Sequence, residues 1–271
     1  MSTGRDDVWA AGDAYEPYVG RWSRLVAQRF LAWLDMPPGK EWLDVGCGTG
    51  ALTQTILEHA VPRTVTGVDA SPGFIEYAQA HVTDARASFR VGRAESLPVD
   101  TASCDAVVSG LVLNFLPQPA AGVSEMTRTA RPGAVVAAYL WDYAAGMEMI
   151  RQFWDAAAAV DPAAADVDEG RRFPLCRSDA LAALFADAGL SDVEVREIDV
   201  PTRFRDFDDY WSPFLGGQGP APGYAMSLGE AHRATLRERL RSQLPTSPDG
   251  SIRLTARAWA VRGFAPSPAA T

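Results

Sequence analysis

The chain holds 271 residues, 47% of them hydrophobic, with 34 acidic against 25 basic side chains and a net charge of −9. That length and apolar content suit one large α/β domain with a substantial core, and the negative field opposes a phosphate backbone, which argues against a nucleic-acid partner. The apolar run from Ala134 to Trp141 stops at Asp142, far short of the ~20 residues that span a bilayer. Met1 to Asp13 offers neither a basic start nor an apolar signal core, so no membrane partner and a cytoplasmic location are expected. Cys47, Cys104 and Cys176 lack metal-ligand spacing and suit a reducing compartment. No Cys/His/carboxylate cluster has ligand spacing either, and a metal-free site is expected.

In chain order, residues 23–35 carry Leu25, Val26, Phe30, Trp33 and Leu34 at helical spacing, and Pro37-Pro38-Gly39 ends that helix. Strands are predicted near 41–46, 64–69, 87–91, 104–110 and 134–140, with helices near 50–60, 72–81 and 120–130 between them. Ser71-Pro72 provides an N-cap followed by proline at the first helical position. Helices near 147–160 and 179–188 follow, then a long strand near 192–203, with Gly189 placed as a helix C′ residue. After a helix near 228–243, Ser247-Pro248-Asp249-Gly250 turns the chain into a last strand, 252–261. Such alternation builds a doubly wound α/β fold whose mostly parallel sheet opens its ligand crevice at the carboxyl ends of the strands.

The strongest local signal is Trp42-Leu43-Asp44-Val45-Gly46-Cys47-Gly48-Thr49-Gly50-Ala51-Leu52, with Thr64-Val65-Thr66-Gly67-Val68 ending on Asp69, nineteen residues after Gly50. An apolar strand that breaks into glycines before a helix brings bare backbone close to a ligand, and an acid at the next strand tip can accept bonds from two ribose hydroxyls. Gly46, Gly48 and Ala51 also satisfy a dinucleotide fingerprint. Asp44 argues against it, because a carboxylate beside a diphosphate at a helix N-terminus would oppose that anion. A zwitterionic amino acid bearing a sulfonium has the opposite preference.

The stretch resembles motif I of the class I methyltransferases that use S-adenosylmethionine, and other stations agree in order. Gly92-Arg93-Ala94-Glu95-Ser96-Leu97-Pro98 resembles the segment bordering the adenine, Cys104-Asp105-Ala106-Val107-Val108-Ser109 the fourth strand, and Ala130-Arg131-Pro132-Gly133 the turn before the fifth. Tyr15-Glu16-Pro17-Tyr18-Val19-Gly20-Arg21-Trp22-Ser23 is similar to the entry segment of the type 11 branch, the relatives of ubiquinone-biosynthesis methyltransferases. The resemblance implies a Rossmann-like, seven-stranded sheet with the last strand antiparallel and a helical and loop lid. It implies a single domain over 1–271, comprising an N-terminal lid segment at 1–35, a cofactor core at 40–142, acceptor and lid elements at 143–190 and 204–245, and a last strand at 252–262. The cofactor would be held by Tyr18, Arg21, Trp22, Asp44, Gly46, Cys47, Gly48, Asp69, Ala70, Ala94, Glu95 and Leu111, with Tyr18, Arg21 and Trp22 facing the methionine moiety and Arg21 pairing its carboxylate. A nicotinamide-dependent reductase and a silent S-adenosylmethionine-binding module are the alternatives.

Two aromatic-rich regions fall outside the strand–helix alternation: Trp9, Tyr15, Tyr18 and Trp22, and residues 204–226 with Phe204, Phe207, Tyr210, Trp211, Phe214, the run Gly216-Gly217-Gln218-Gly219-Pro220 and Tyr224. They are candidate lid pieces around a small-molecule acceptor, with Tyr15, Asn114, Trp141, Tyr143, Tyr210, Trp211 and Phe214 as its contacts; ordinary core packing is the competing reading. His59, His81 and His232 fall inside predicted helices. Asn114 follows the fourth strand where some relatives carry histidine, and it cannot take a proton. Asp142 is the remaining candidate base. Methyl transfer needs chiefly alignment and exclusion of water, with a base only where the acceptor must lose a proton. Aromatic faces suit a small aromatic acceptor, and an indole methylated at carbon would need no histidine. In this the chain is similar to natural-product methyltransferases of secondary metabolism, including those acting on C3 of indole.

Overall fold

The computed structural model describes residues 20–217 and 219–267. Strands β1 (Glu41–Val45), β2 (Thr64–Asp69), β3 (Ala87–Val91), β4 (Cys104–Gly110), β5 (Ala130–Trp141), β6 (Ser191–Phe204) and β7 (Ile252–Phe264) form one sheet in the order β3-β2-β1-β4-β5-β7-β6. β2–β3, β1–β2, β1–β4 and β4–β5 pair in parallel, whereas β7 lies antiparallel to β5, from Val135↔Phe264 to Trp141↔Ala258. The order reverses between β1 and β4, where an open α/β sheet splays its loops into a ligand crevice. The expected mostly parallel, seven-stranded α/β sheet with an antiparallel last strand is what the chain forms.

The helices are α1 (Arg21–Leu34), α2 (Ala51–His59), α3 (Pro72–His81), α4 (Pro119–Thr129), α5 (Glu148–Val160), α6 (Glu169–Arg172), α7 (Ser178–Asp187), α8 (Phe207–Trp211), α9 (Pro220–Ser227) and α10 (Glu230–Gln243). Ser71 caps α3 by accepting the Phe74 N–H at 3.3 Å, with Pro72 in the first turn. Gly189 follows the cap of α7, as its place in the chain suggested. Two expectations shift. The turn before the fifth strand is a bulge inside β5: Cys104 pairs with Ala130 and Ala106 with Val135, so Asp105 faces four residues. Pro132 has no N–H to give a ladder, and Arg131 leaves it to bind Glu41 and Asp105. The helix predicted from 228 begins at Glu230, after the separate α9.

The described chain divides into two compact units. The sheet unit contains Ser23–Trp141, Leu175–Ile198 and the chain from Ala258; the helical unit contains Asp142–Pro174, Asp199–Arg257 and the start of α1. Central strands of the sheet unit are buried on both faces, which is why they read as continuous apolar runs. Leu43, Val45, Val107, Val136, Ala138 and Leu140 meet Leu181 and Phe185 of α7 in its core. On α1, Phe30 packs against Tyr139 at 4.9 Å, and Arg262 crosses Trp33 at 4.6 Å while donating to its carbonyl.

Aromatic rings fill the helical unit. Phe153 of α5 stacks on Phe214 at 4.5 Å, Tyr210 of α8 meets Phe204 and Phe214, and its hydroxyl donates to the Met149 carbonyl at 2.9 Å. Arg151 holds Asp168 through two hydrogen bonds of 2.7 and 2.8 Å, and the Trp154 indole donates to Glu169. Tyr210→Phe should cost about 1–2 kcal/mol, read by denaturant unfolding, because the Met149 carbonyl is left without that donor. Unchanged stability would mean the hydroxyl is dispensable.

Candidate functional site

Five buried or half-buried residues of β1 carry the chain to Gly46, where the Gly46 and Cys47 N–H groups both donate to the Val68 carbonyl, at 2.7 and 3.1 Å. Gly46 adopts φ +73°, and a Cβ there would stand 2.6 Å from the Val112 side chain. Gly48, at φ +53°, has nothing within 4 Å of where its Cβ would stand. The two positions need glycine for different reasons: the first for packing against its neighbour loop, the second because a side chain would enter open space above bare backbone.

Two carboxylates lie close to this turn, both acting electrostatically on Cys47. Asp44 is 1% exposed. Its Oδ2 accepts the Thr53 hydroxyl at 2.7 Å, and its Oδ1 is buried with no partner. Burial raises its pKa to about 7, the Thr53 bond opposing and the Asp69 charge adding. Asp69 at the tip of β2 accepts the Gly48 N–H at 3.0 Å through Oδ2 and the Ser71 N–H at 2.8 Å through Oδ1. It therefore ties the glycine loop to β2, and each oxygen keeps a further lone pair. Cys47 is buried, and burial with both carboxylates nearby pushes its thiol up, so it stays protonated and packs rather than reacts.

The loops after β3 and β4 complete this end of the sheet. Ala94 is buried, and Glu95 holds one oxygen 3.6 Å from the Arg93 guanidinium while its Oε1 is buried without a partner. Leu111 lies at φ +64°, its N–H donating to the Tyr139 carbonyl at 2.8 Å. Asn114, in the short 3-10 turn Leu113–Phe115, donates to the Cys176 Sγ at 3.4 Å and leaves Oδ1 buried and unpartnered. At the end of β5, Trp141 is 1% exposed with its indole N–H unpartnered. Asp44, Gly46, Cys47, Gly48, Asp69, Ala70, Ala94, Glu95, Leu111 and Asn114 thus all lie at or beyond the carboxyl ends of four parallel strands, β1 to β4. The buried, unpartnered acceptors Asp44 Oδ1 and Glu95 Oε1, with the open space over Gly48, fit a ligand that carries an ammonium and a further N–H donor. Phosphate oxygens would find no donor in either carboxylate.

Thr53 and Val112 belong to this arrangement and carried no signal in the sequence. A threonine nine residues beyond Asp44 looks like any helical threonine, and a valine that fills the place of a missing Cβ looks like any apolar residue.

Other candidates fall in the helical unit. Arg21 reaches Asp209 at 3.4 Å, lies over Trp22 and Phe204 at 4.4 and 4.8 Å, and keeps Nε and Nη2 buried without partners. The Trp22 indole N–H is likewise unpartnered. Asp142 is buried; its Oδ1 accepts the Ala145 N–H at 2.9 Å, closing a turn through one of its two carboxylate oxygens. Tyr143 packs on Phe173 at 6.0 Å and Trp211 on Phe214 at 6.1 Å. Tyr210 and Phe214 are both 0% exposed, so the structure spends these two rings on packing, with no face open to an acceptor. Tyr15 and Tyr18 lie outside the described residues. Among the described residues no group of three or more His, Cys, Asp or Glu could hold a metal, and no helix is long and apolar enough to cross a membrane.

Known proteins resemble the chain in sequence and in fold. Residues 43–138 match the family profile described as a methyltransferase domain. A malonyl-[acyl-carrier protein] O-methyltransferase of Hahella chejuensis is 42% identical over 91 residues, 34% of this chain and 33% of that one. A demethylmenaquinone methyltransferase of Roseiflexus castenholzii is 30% identical over 169 residues, 57% of this chain and 69% of that one. The chain spans less than half the length of the two malonyl-[acyl-carrier protein] relatives, 33% and 43%. Among solved structures, Haemonchus contortus phosphoethanolamine N-methyltransferase 2, in complex with S-adenosyl-L-methionine, superposes with a TM-score of 0.58 at 17% identity, over 94% of this chain and 56% of that one. The YcgJ protein of Bacillus subtilis does so at 0.58 and 15%, over 90% and 99%. At these identities the structures speak to fold.

Proposed function

Because the chain belongs to the class I S-adenosylmethionine-dependent methyltransferases, we propose that it transfers a methyl group from S-adenosylmethionine to a small-molecule acceptor. One observation carries this reading: the buried, unpartnered Asp44 Oδ1 on the strand that leads into the glycine turn, where Gly48 has nothing within 4 Å of its missing Cβ. In this reading Asp44 accepts the ammonium of the donor, the spare lone pairs of Asp69 accept the ribose hydroxyls, and Glu95 Oε1 accepts the adenine amino group. The bare backbone at Gly48 allows the close approach. When bound, the donor would supply a methyl carbon on a sulfonium, whose leaving group is a neutral thioether. The protein's task is to orient the acceptor against it and keep water out.

For the acceptor we favour a small aromatic molecule methylated at carbon, an indole in first place. The three histidines support this, since His59, His81 and His232 lie on α2, α3 and α10 rather than at strand tips. Several relatives are named for hydroquinone or menaquinone substrates, which are ring compounds; others are named for O-methylation of an acyl-carrier substrate. Incubation with the methyl donor and a panel of indoles, phenols and quinols separates these classes. Turnover confined to phenols or carboxylates would reject the carbon acceptor.

Calorimetry tests the cofactor assignment. S-adenosylhomocysteine should bind and NADH should not. Asp69→Ala should weaken that binding by roughly 1–3 kcal/mol, through lost ribose bonds and a loosened Gly48 N–H. Tight NADH binding, or full affinity in the variant, would reject the assignment.

A further inference from the structure

The helical unit contains a cleft of about 360 Å³ between the end of α5, α9 and α10. Val160, Leu228 and Leu236 supply apolar wall, and its polar lining is Asp161, Tyr224 and His232. Asp161 Oδ1 accepts the Ala163 N–H at 3.0 Å, capping the 3-10 turn Pro162–Asp166, while Oδ2 accepts the Tyr224 hydroxyl at 3.2 Å. Tyr224 is held in place by Trp154 and Phe153, at ring separations of 5.4 and 6.3 Å. Burial, reinforced by the Asp161 charge, pushes its phenol up to about 12, so it remains a donor to the carboxylate.

Asp161 is the one acidic side chain of this lining, and among the described residues it has no ion pair. A carboxylate with spare lone pairs, an aromatic ring fixed beside it and aliphatic walls form the elements that recognise an ammonium attached to an apolar body. An anion would be repelled there, and an uncharged molecule would leave the carboxylate without a counter-charge. We propose that this cleft binds a small molecule with an apolar body and a protonated amine, the ammonium on Asp161 and the body against Tyr224, Val160 and Leu236. The cleft is built within one unit, and its occupancy does not depend on methyl transfer.

The test titrates 2-phenylethylamine and its neutral isostere 2-phenylethanol into the full chain without methyl donor, by calorimetry and by NMR of labelled valine and leucine methyls. The amine should bind saturably at one site, about tenfold or more tighter than the alcohol, with shifts centred on Val160, Leu228 and Leu236. Asp161→Asn keeps an oxygen to cap Ala163 and should lose about tenfold in amine affinity while leaving the alcohol unchanged. Equal binding of amine and alcohol, no saturation, shifts centred elsewhere, or full amine affinity in Asp161→Asn would each overturn the proposal. Should the variant fail to fold, the amine–alcohol comparison on the unaltered chain decides.

Discussion

Gly48→Val is expected to leave a folded protein with no measurable affinity for S-adenosylhomocysteine. The expectation rests on what surrounds the position: nothing lies within 4 Å of the missing Cβ, so the added Cβ meets no protein atom and the side chain is expected to occupy the approach to the backbone. The backbone at φ +53° charges a branched residue roughly 1–2 kcal/mol, small beside the loss of the whole contact surface. Calorimetry and thermal unfolding on the same sample separate the two effects. Retained binding would mean that the ligand approaches from elsewhere. Gly46→Val would be a poorer experiment, since a side chain 2.6 Å from Val112 must displace the neighbouring loop and mixes unfolding with lost binding.

Asp44→Asn should weaken cofactor binding yet stabilise the empty protein above neutral pH. The folded carboxyl titrates at about 7 against an ordinary value of 3.8, chiefly through burial. Between those values the folded state keeps a proton that the unfolded state has released, so stability falls as pH rises through that window and is flat on either side. The cost is on the order of 4 kcal/mol by pH 8, and asparagine does not incur it while still accepting the Thr53 hydroxyl. Glu169, raised to about 7 by burial, contributes a slope of the same sign, so the variant should retain part of the pH dependence. Affinity for the donor's ammonium should rise through pH 7 in the parent as Asp44 ionises, and the variant should lose that rise with roughly tenfold or more of affinity. Unfolding curves and calorimetry at pH 5, 7 and 8 check both halves. A variant that binds normally at pH 8 would remove Asp44 from the site.

The strand tips were legible because their signals are local. Asp44, Gly46, Gly48 and Asp69 follow from a buried strand, a glycine break and the next strand's last residue, and parallel pairing brings such tips side by side. The β5 bulge was not legible, since Pro132 is compatible with either a turn or a bulge and only pairing with β4 decides between them. Nor was the fate of the aromatics in 204–226. Composition cannot tell a lid from a core, and in α8 and the 3-10 turn after it Tyr210 and Phe214 face Phe153 and Phe204. The unpartnered oxygens of Asp44, Glu95 and Asn114 depend on which neighbours happen to lack a donor, a property of three-dimensional placement that no spacing encodes.

Leu111 carries a left-handed backbone at φ +64° that favours glycine, and the next side chain, Val112, fills the place where Gly46 lacks a Cβ. The tension stored in one connection thereby sets the floor of its neighbour. A change in the Leu111 backbone is therefore expected to be felt at Gly46, through Val112, without altering Asp44 or Asp69.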